Sequence, residues 1–395
     1  MMNISKKLAK TPVSAPMLIS TAERELRKEG HDIISFCVGE PDFPAPPEAS
    51  RAGTMAILRG ETRYTEAGGS EELKCAICEY LRRRFALEYS PAEIAVTTGA
   101  KYAAYAAVSA ICNEDDEVLL PAPYWTSYYS MSELAGARVK VLPCTAENGY
   151  KLTPRQLEAA AGERTRLLVL NNPNNPSGAV YSRDELKELY KSAERCGIAV
   201  LADEIYSDFV YDGELCSAPS ISQYARENTV LISGMSKNWG MTGWRIGFAA
   251  APQPVIKAMG AMLSHTTGCP SAIGQAAAAA ALAGETSEAQ NNIDDYRCRR
   301  DAIYAALKKI GIAAARPEGA FYALADMREF ITNEQDDLAL AQRLLREAGI
   351  STVPCTQFGM PGFLRLSFTV PHEKIDEGMS RLAAFVEKLR GENNG

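Results

Sequence analysis

Histidine is scarce in this chain, with three in 395 residues (His31, His265 and His372), so a histidine-rich metal site is not expected. Basic excess is missing as well. Lys and Arg number 42 against 49 Asp and Glu, a net charge of −7, which argues against a nucleic-acid binder driven by phosphate neutralisation. A few local arginines would still suffice for a small anion. Long hydrophobic runs are lacking: the longest apolar stretch, Ala276 to Ala283, is alanine-rich, lies between Gln275 and Glu285, and reads as a buried helix rather than a membrane span. Met1 to Lys10 is polar and lysine-bearing, with no secretory apolar region behind it. Together with ten scattered cysteines, this sets the expectation of a reduced, cytoplasmic compartment. Cys75-Ala76-Ile77-Cys78 has metal or redox spacing, but it falls mid-helix with no second pair nearby, so no metal is expected there. Internal repeats, low-complexity tracts and long polar linkers are absent.

What is present is ordinary globular material, 46% hydrophobic and 23% charged, at a length that suits two domains. Between residues 93 and 250, short apolar runs alternate with amphipathic segments. Strands are expected at 93–98, 117–120, 138–142, 166–171, 198–203, 229–233 and 245–250. Helices are expected at 100–112, 125–135 and 183–196, the last opened by a capping box of Ser182 and Glu185. Such alternation predicts an α/β fold, a mainly parallel central sheet with helices on both faces. After residue 285 the texture changes to helix 289–310, strand 319–324, helix 338–348, strand 363–368 and helix 374–390, a smaller α+β domain. The expected division is 1–46 as an N-terminal arm joining the small domain, 47–285 as the large domain and 286–395 as the small one.

Ligands of such sheets bind at the carboxyl ends of strands, and that is where the unusual residues fall. The segment Ser233-Gly234-Met235-Ser236-Lys237 places a lysine in a turn after an apolar run, and Arg245 stands just before the next run. Small neighbours let backbone approach a bulky planar ligand. A lysine there can form a Schiff base and the arginine can grip a phosphate, which together suggest pyridoxal phosphate. Asp203 ends a run too apolar to hold a carboxylate without a partner, and a cationic ring nitrogen would be one. Tyr206 follows three residues later. Asn175 lies in a turn at another strand end, and Thr98-Gly99-Ala100-Lys101 turns from strand to helix, offering N–H groups to an anion. This is not a Walker loop, because the other residues of that motif are missing. Trp125 could stack on a flat ring.

The sequence resembles the class I aminotransferases, pyridoxal-phosphate enzymes of fold type I, almost end to end. The likeness runs through Gly39-Glu40-Pro41-Asp42-Phe43, Tyr64-Thr65, Gly68-Gly69, Thr98-Gly99-Ala100-Lys101, Pro123-Tyr124-Trp125, Asn175-Pro176-Ser177-Gly178, Asp203-Glu204-Ile205-Tyr206, Ser236-Lys237 to Arg245-Ile246-Gly247, and Phe363-Leu364-Arg365-Leu366-Ser367-Phe368. Its flavour is that of the bacterial aspartate aminotransferase branch. The resemblance implies that Lys237 carries the cofactor and shuttles the substrate proton, Asp203 keeps the ring nitrogen protonated, and Tyr206 and Asn175 hydrogen-bond the ring oxygen. It further implies that Trp125 stacks on the ring, while Arg245, Ser236 and the Gly99–Lys101 turn, through the N–H groups of Ala100 and Lys101, bind the phosphate. Tyr64 would reach the phosphate of a partner subunit, making a homodimer with shared sites. Arg365 would clamp the substrate α-carboxylate, helped by Asn175 and the backbone of Gly39. One departure is visible: Gly234 stands at a phosphate-contact position that is serine in some relatives.

Substrate choice is less fully written. Some relatives bring an arginine from the partner to the distal carboxylate of aspartate, but the stretch Met262 to Pro270 contains none. In the branch resembled here a lysine in the glycine-bearing turn helps select acidic substrates, and Lys101 matches it. His265 could assist if protonated. Prephenate-using relatives employ an N-terminal lysine where Pro12 aligns here. The expectation is therefore transfer of an amino group from aspartate to 2-oxoglutarate by a ping-pong route. Aromatic, alanine, kynurenine or prephenate-type aminotransferases and carbon–sulfur β-lyases are the alternatives within the scaffold. A transcription regulator with an aminotransferase-like domain is disfavoured by the acidic charge and by a match that begins near residue 14.

Overall fold

Alternation within single strands decides where the helices pack. A computed structural model describes residues 4–5, 8–9, 11–284, 287–333 and 335–393. It contains β1 (Ile34–Ser35), β2 (Ile94–Thr97), β3 (Glu117–Ala122), β4 (Arg138–Pro143), β5 (Thr165–Asn171), β6 (Ala199–Asp203), β7 (Thr229–Gly234), β8 (Gly247–Ala250), β9 (Tyr322–Asp326), β10 (Ile350–Ser351), β11 (Val353–Pro354) and β12 (Phe363–Ser367). Leu167 and Val169 of β5 and Leu201 of β6 join a core with the helices Ala100–Ile111, Thr126–Ala135 and Gln253–His265. Leu168, Leu170, Val200 and Ala202, one residue out of phase, face Pro154–Ala160 and Arg183–Cys196 on the other side. Both faces are thus apolar and both are covered, as a parallel sheet requires. The Ser182–Glu185 capping box is present, and the alanine-rich segment forms the packed helix Ala272–Ala283.

The large sheet has seven strands in the order β2-β8-β7-β6-β5-β3-β4. All run in one direction except β8, which pairs antiparallel with β2 and β7. Gly247 sits opposite both Gly234 and Thr97. Reversal of β8 therefore starts it at the edge where β2 and β7 end, and the residues on either side of that turn meet there. The strand expected over 245–250 is shorter than the sequence suggested. Arg245 has a left-handed backbone, φ 58°, because the chain must turn sharply before the antiparallel pairing can begin.

A second, three-stranded antiparallel sheet, β11-β12-β9, packs with the helices Asp337–Ala348 and His372–Asn393 around its own core. β9 begins at residue 322 rather than 319, since Gly319 and Ala320 are used in pairings with Val210 and Phe209. β1 pairs parallel with β10, and the helix Ala15–Lys28 packs on the same region, so the N-terminal segment lies against this smaller unit. The boundary expected at 285/286, like Met1, Lys10 and Glu285, lies outside the described residues. No described helix is long and apolar enough to cross a membrane.

Candidate active site

The same alternation that builds the core aims the polar residues. Continuing from Leu167 and Val169, Asn171 at the end of β5 lies on the face of the helices Ala100–Ile111 and Thr126–Ala135, and so does Asp203, two residues after Leu201 in β6. Asn171 and Asp203 are register partners. Asp203 is buried, and burial pushes its carboxyl up to about 6 despite two hydrogen bonds. The Tyr128 hydroxyl donates to Oδ2 at 2.7 Å and the Ile205 N–H donates to Oδ1 at 3.1 Å. No cation pairs with this carboxylate among the described residues.

Lys237 follows β7 by three residues. Its Nζ donates to the carbonyl of Gly39 at 2.6 Å, and withdrawal from water lowers its pKa to about 8. The Gly39 segment is itself tethered: Tyr296 Oη donates to Asp42 Oδ1 at 2.8 Å and Arg299 to Oδ2 at 2.9 Å, while Thr242 donates to the Glu40 carboxylate. The turn before the helix Ala100–Ile111 is held closely against β8. Gly99 has φ 88°, and a Cβ there would stand 2.5 Å from the Arg245 guanidinium. A Cβ on Gly247 would lie 2.2 Å from the Ala100 nitrogen. These two glycines let the helix N-terminus, the guanidinium and the lysine turn share one small cup. Gly234 is held by the same packing: a Cβ there would stand 2.8 Å from Gly247 Cα, so the tight pairing of β7 with β8 leaves no room for a side chain.

Arg365 reaches the site from β12. It is 4% exposed, and it donates from Nη1 to Asn175 Oδ1 at 3.1 Å and from Nη2 to the Cys37 carbonyl at 3.0 Å. Its Nε is buried without a partner, and no carboxylate pairs with it among the described residues. A buried guanidinium satisfied only by neutral acceptors is costly unless an anion completes it.

These groups line one cavity of about 350 Å³, in the size range of small-molecule sites. Gly39, Ala100, Lys101, Trp125, Asn175, Asp203, Tyr206, Ser236, Lys237, Arg245 and Arg365 all contribute to its wall. Gly99 stays behind the wall, touching Arg245. Tyr64 does not reach the cavity of its own chain, for it is 97% exposed. Lys101 holds its ammonium 4.9 Å from the Trp125 ring, and desolvation, then Arg245, lowers its pKa. A second cavity of about 590 Å³ adjoins across Lys101 and Arg245 and is walled by Tyr102, Tyr105, Tyr124 and Tyr129.

Sequence reasoning missed Tyr128, Asn171 and Tyr322. Tyr128 stands one helical turn after Trp125, a spacing that puts both on one face, and this was the available signal. Tyr322 gave none, because an aromatic inside an apolar strand reads as core.

A family model described as aminotransferase class I and II matches residues 31–382. An aspartate aminotransferase of Bacillus subtilis is 37% identical over 391 residues, covering 98% of this chain and 100% of that protein. An aspartate/prephenate aminotransferase of Cereibacter sphaeroides is 38% identical over 396 residues, with 98% and 99% covered. The structure of an aspartate aminotransferase from Thermus thermophilus with maleate matches with a TM-score of 0.92 at 36% identity, over 97% of this chain and 100% of that one. With the fold type I architecture and a match across most of its length, the chain belongs to the class I and II aminotransferases.

Proposed function

We propose that the protein transfers the amino group of aspartate to 2-oxoglutarate with pyridoxal phosphate as cofactor. The observation that carries the reading is a buried Arg365 that, among the described residues, has no acidic partner, in one cavity with a lysine whose pKa burial lowers to about 8 and a buried carboxylate that none of the described cations pairs with. The residues fit the cofactor. Arg245, whose Nη1 donates to the Thr242 carbonyl at 2.8 Å, keeps donors free for phosphate beside Ser236 and the N–H groups of Ala100 and Lys101. Asp203 suits a protonated ring nitrogen, Tyr206 and Asn175 a ring oxygen, and Trp125 the ring face.

When bound at Lys237, pyridoxal phosphate supplies an electron-poor ring that takes up negative charge developing at the substrate Cα. Asp203 holds the ring-nitrogen proton in place, aided by the Tyr128 hydroxyl on its other oxygen. Arg365 binds the α-carboxylate and, with Asn175, fixes the orientation of the Cα–H bond. Lys237 Nζ, freed once the substrate amine takes its place, would move the proton from the substrate Cα to the cofactor's aldehyde carbon and, with the second substrate, back again. Its lowered pKa leaves a large neutral fraction at pH 8, as a base needs.

Aspartate as donor is supported by the relatives' names and by Lys101 on the cavity wall. The dimer is supported by the exposure of Tyr64 and by its surroundings. Thr65 N–H donates to Cys269 Sγ at 3.4 Å and Gln275 Nε2 to Thr65 Oγ1 at 3.0 Å, so Tyr64 and the exposed His265 turn share one surface suited to a partner's site. All ten cysteines are free thiols, which suits the cytoplasm. A donor screen that follows the cofactor absorption from its oxo to its amino form tests the reading. Aspartate should convert fastest; much faster conversion by alanine or phenylalanine would overturn the substrate, and release of ammonia without 2-oxoglutarate would overturn the reaction.

A further inference from the structure

Tyr322 touches both halves of the site. It lies in β9, diagonal to Arg365 of β12: Arg365 pairs with Leu324 and Ser367 pairs with Tyr322, so both side chains project from one face of the antiparallel pair. The Arg365 guanidinium stands 4.3 Å from the Tyr322 ring centroid, and Tyr322 is 1% exposed. At the other end of the same side chain, the hydroxyl is 2.9 Å from the Tyr206 hydroxyl. The oxygen fits a notch left by Gly39, where a Cβ would come within 2.5 Å of it. One rigid side chain thus bears the carboxylate clamp on its face and the cofactor-facing phenol on its tip.

We infer that Tyr322 is a positioning residue that ties the Arg365 clamp to Tyr206, so that filling of the carboxylate site is registered at the cofactor ring oxygen. This rests on the roles proposed above for Arg365 and Tyr206. Two hydroxyls that share one hydrogen bond have one donor between them. When Tyr206 donates to the ring oxygen, Tyr322 must donate to Tyr206, which strengthens the outward donation. Its ring cannot follow a moving guanidinium without carrying the hydroxyl along.

The test uses the enzyme loaded with pyridoxal phosphate, and maleate as an unreactive dicarboxylate probe. The pH titration of the visible cofactor band is read with and without maleate, in wild type, Tyr322→Phe, Tyr206→Phe and the double variant. Tyr322→Phe keeps the ring and the fold. It should raise the apparent proton affinity of the band roughly two- to tenfold, the scale of one neutral hydrogen bond, leave the maleate dissociation constant within about twofold, and shrink the maleate-induced displacement of the titration. In the Tyr206→Phe background the second substitution should add nothing, because its effect passes through that phenol. A Tyr322→Phe enzyme that titrates as wild type with and without maleate, or an effect that persists undiminished in the Tyr206→Phe background, overturns the inference. A wild-type enzyme that fails to bind the cofactor or maleate overturns the proposed function itself and the inference with it, a result distinct from normal wild type with silent variants.

Discussion

Burial shifts the ionisation of two charged side chains in the cavity, Lys237 and Asp203, and leaves a third, Arg365, facing only neutral acceptors. Withdrawal from water lowers Lys237 to about 8, so the folded protein sheds this proton more readily than the unfolded chain does. Amine-selective labelling of cofactor-free protein, resolved by mass spectrometry, should reach half its maximum at Lys237 near pH 8 and at surface lysines above pH 10. Lys237→Ala should keep the fold and lose turnover by at least about 10⁴-fold. Asp203 runs the other way. Its pKa rises from 3.8 to about 6, so the stability it contributes is whole below pH 3.8 and is lost as pH climbs through 6. At pH 7.5 the ionised, buried carboxylate costs about 3 kcal/mol. Asp203→Asn can keep both neighbours, its oxygen accepting from Ile205 and its amide facing Tyr128, and should stabilise the cofactor-free protein at pH 7.5 by about 1–3 kcal/mol in urea denaturation. The gain should fall to about a third by pH 4.5, while cofactor affinity falls at both. Glu204, likewise raised to about 7, chiefly by burial and in part by the Asp203 charge, and held by Ser217 and Ala218, is relieved of that repulsion in the variant and adds to the gain. Arg365→Leu removes the clamp but leaves the cofactor cup, so steady-state kinetics should show a KM for aspartate raised by about 100-fold or more, with the cofactor spectrum retained.

At the scale of elements, the lysine turn works because two strands and a helix start are pressed together at Gly247. Gly247→Ala would set a methyl 2.2 Å from the Ala100 nitrogen, backbone against backbone, with no flexible side chain to yield. It should cost about 2–4 kcal/mol in chemical denaturation and weaken pyridoxal phosphate binding by more than about tenfold. The central strands of the sheet were legible because Leu167 to Leu170, Val200 to Ala202 and Val230 to Ile232 are apolar on both faces. Lys237, Asp203 and Arg245 were legible because each is a charge at the end of such a run. The direction of β8 was not, since strand polarity depends on which neighbours a strand finds, and that is a property of the whole sheet. Tyr322 was hidden for a related reason. Its strand reads as core from every position, and only pairing with β12 brings its ring under Arg365.

For the whole molecule, Tyr64 is almost fully exposed and does not line the cavity of its own chain. If it completes a partner's phosphate site, then Lys237→Ala and Tyr64→Ala fail in different places and can rescue each other. Refolding equal amounts of the two together should restore about a quarter of the native sites, one in each mixed dimer, whereas either alone stays low. Activity of the mixture equal to the mean of the separate variants would reject shared sites. The pairing of Gly234 with Gly247 has a consequence for how such a protein can change. Residues 235–246 leave and re-enter the sheet at adjacent positions, so the segment is a cassette clipped at its base. Residues near its outer rim, such as the exposed Gly243, can be lengthened or exchanged while the clip fixes where the segment begins and ends. A single-residue slip inside β7 would instead turn every side chain of the strand to the opposite face and carry Lys237 out of the cavity. Variation is therefore cheap at the lip of the loop and forbidden at its root, and a lineage exploring new substrates can rewrite the one without losing the other.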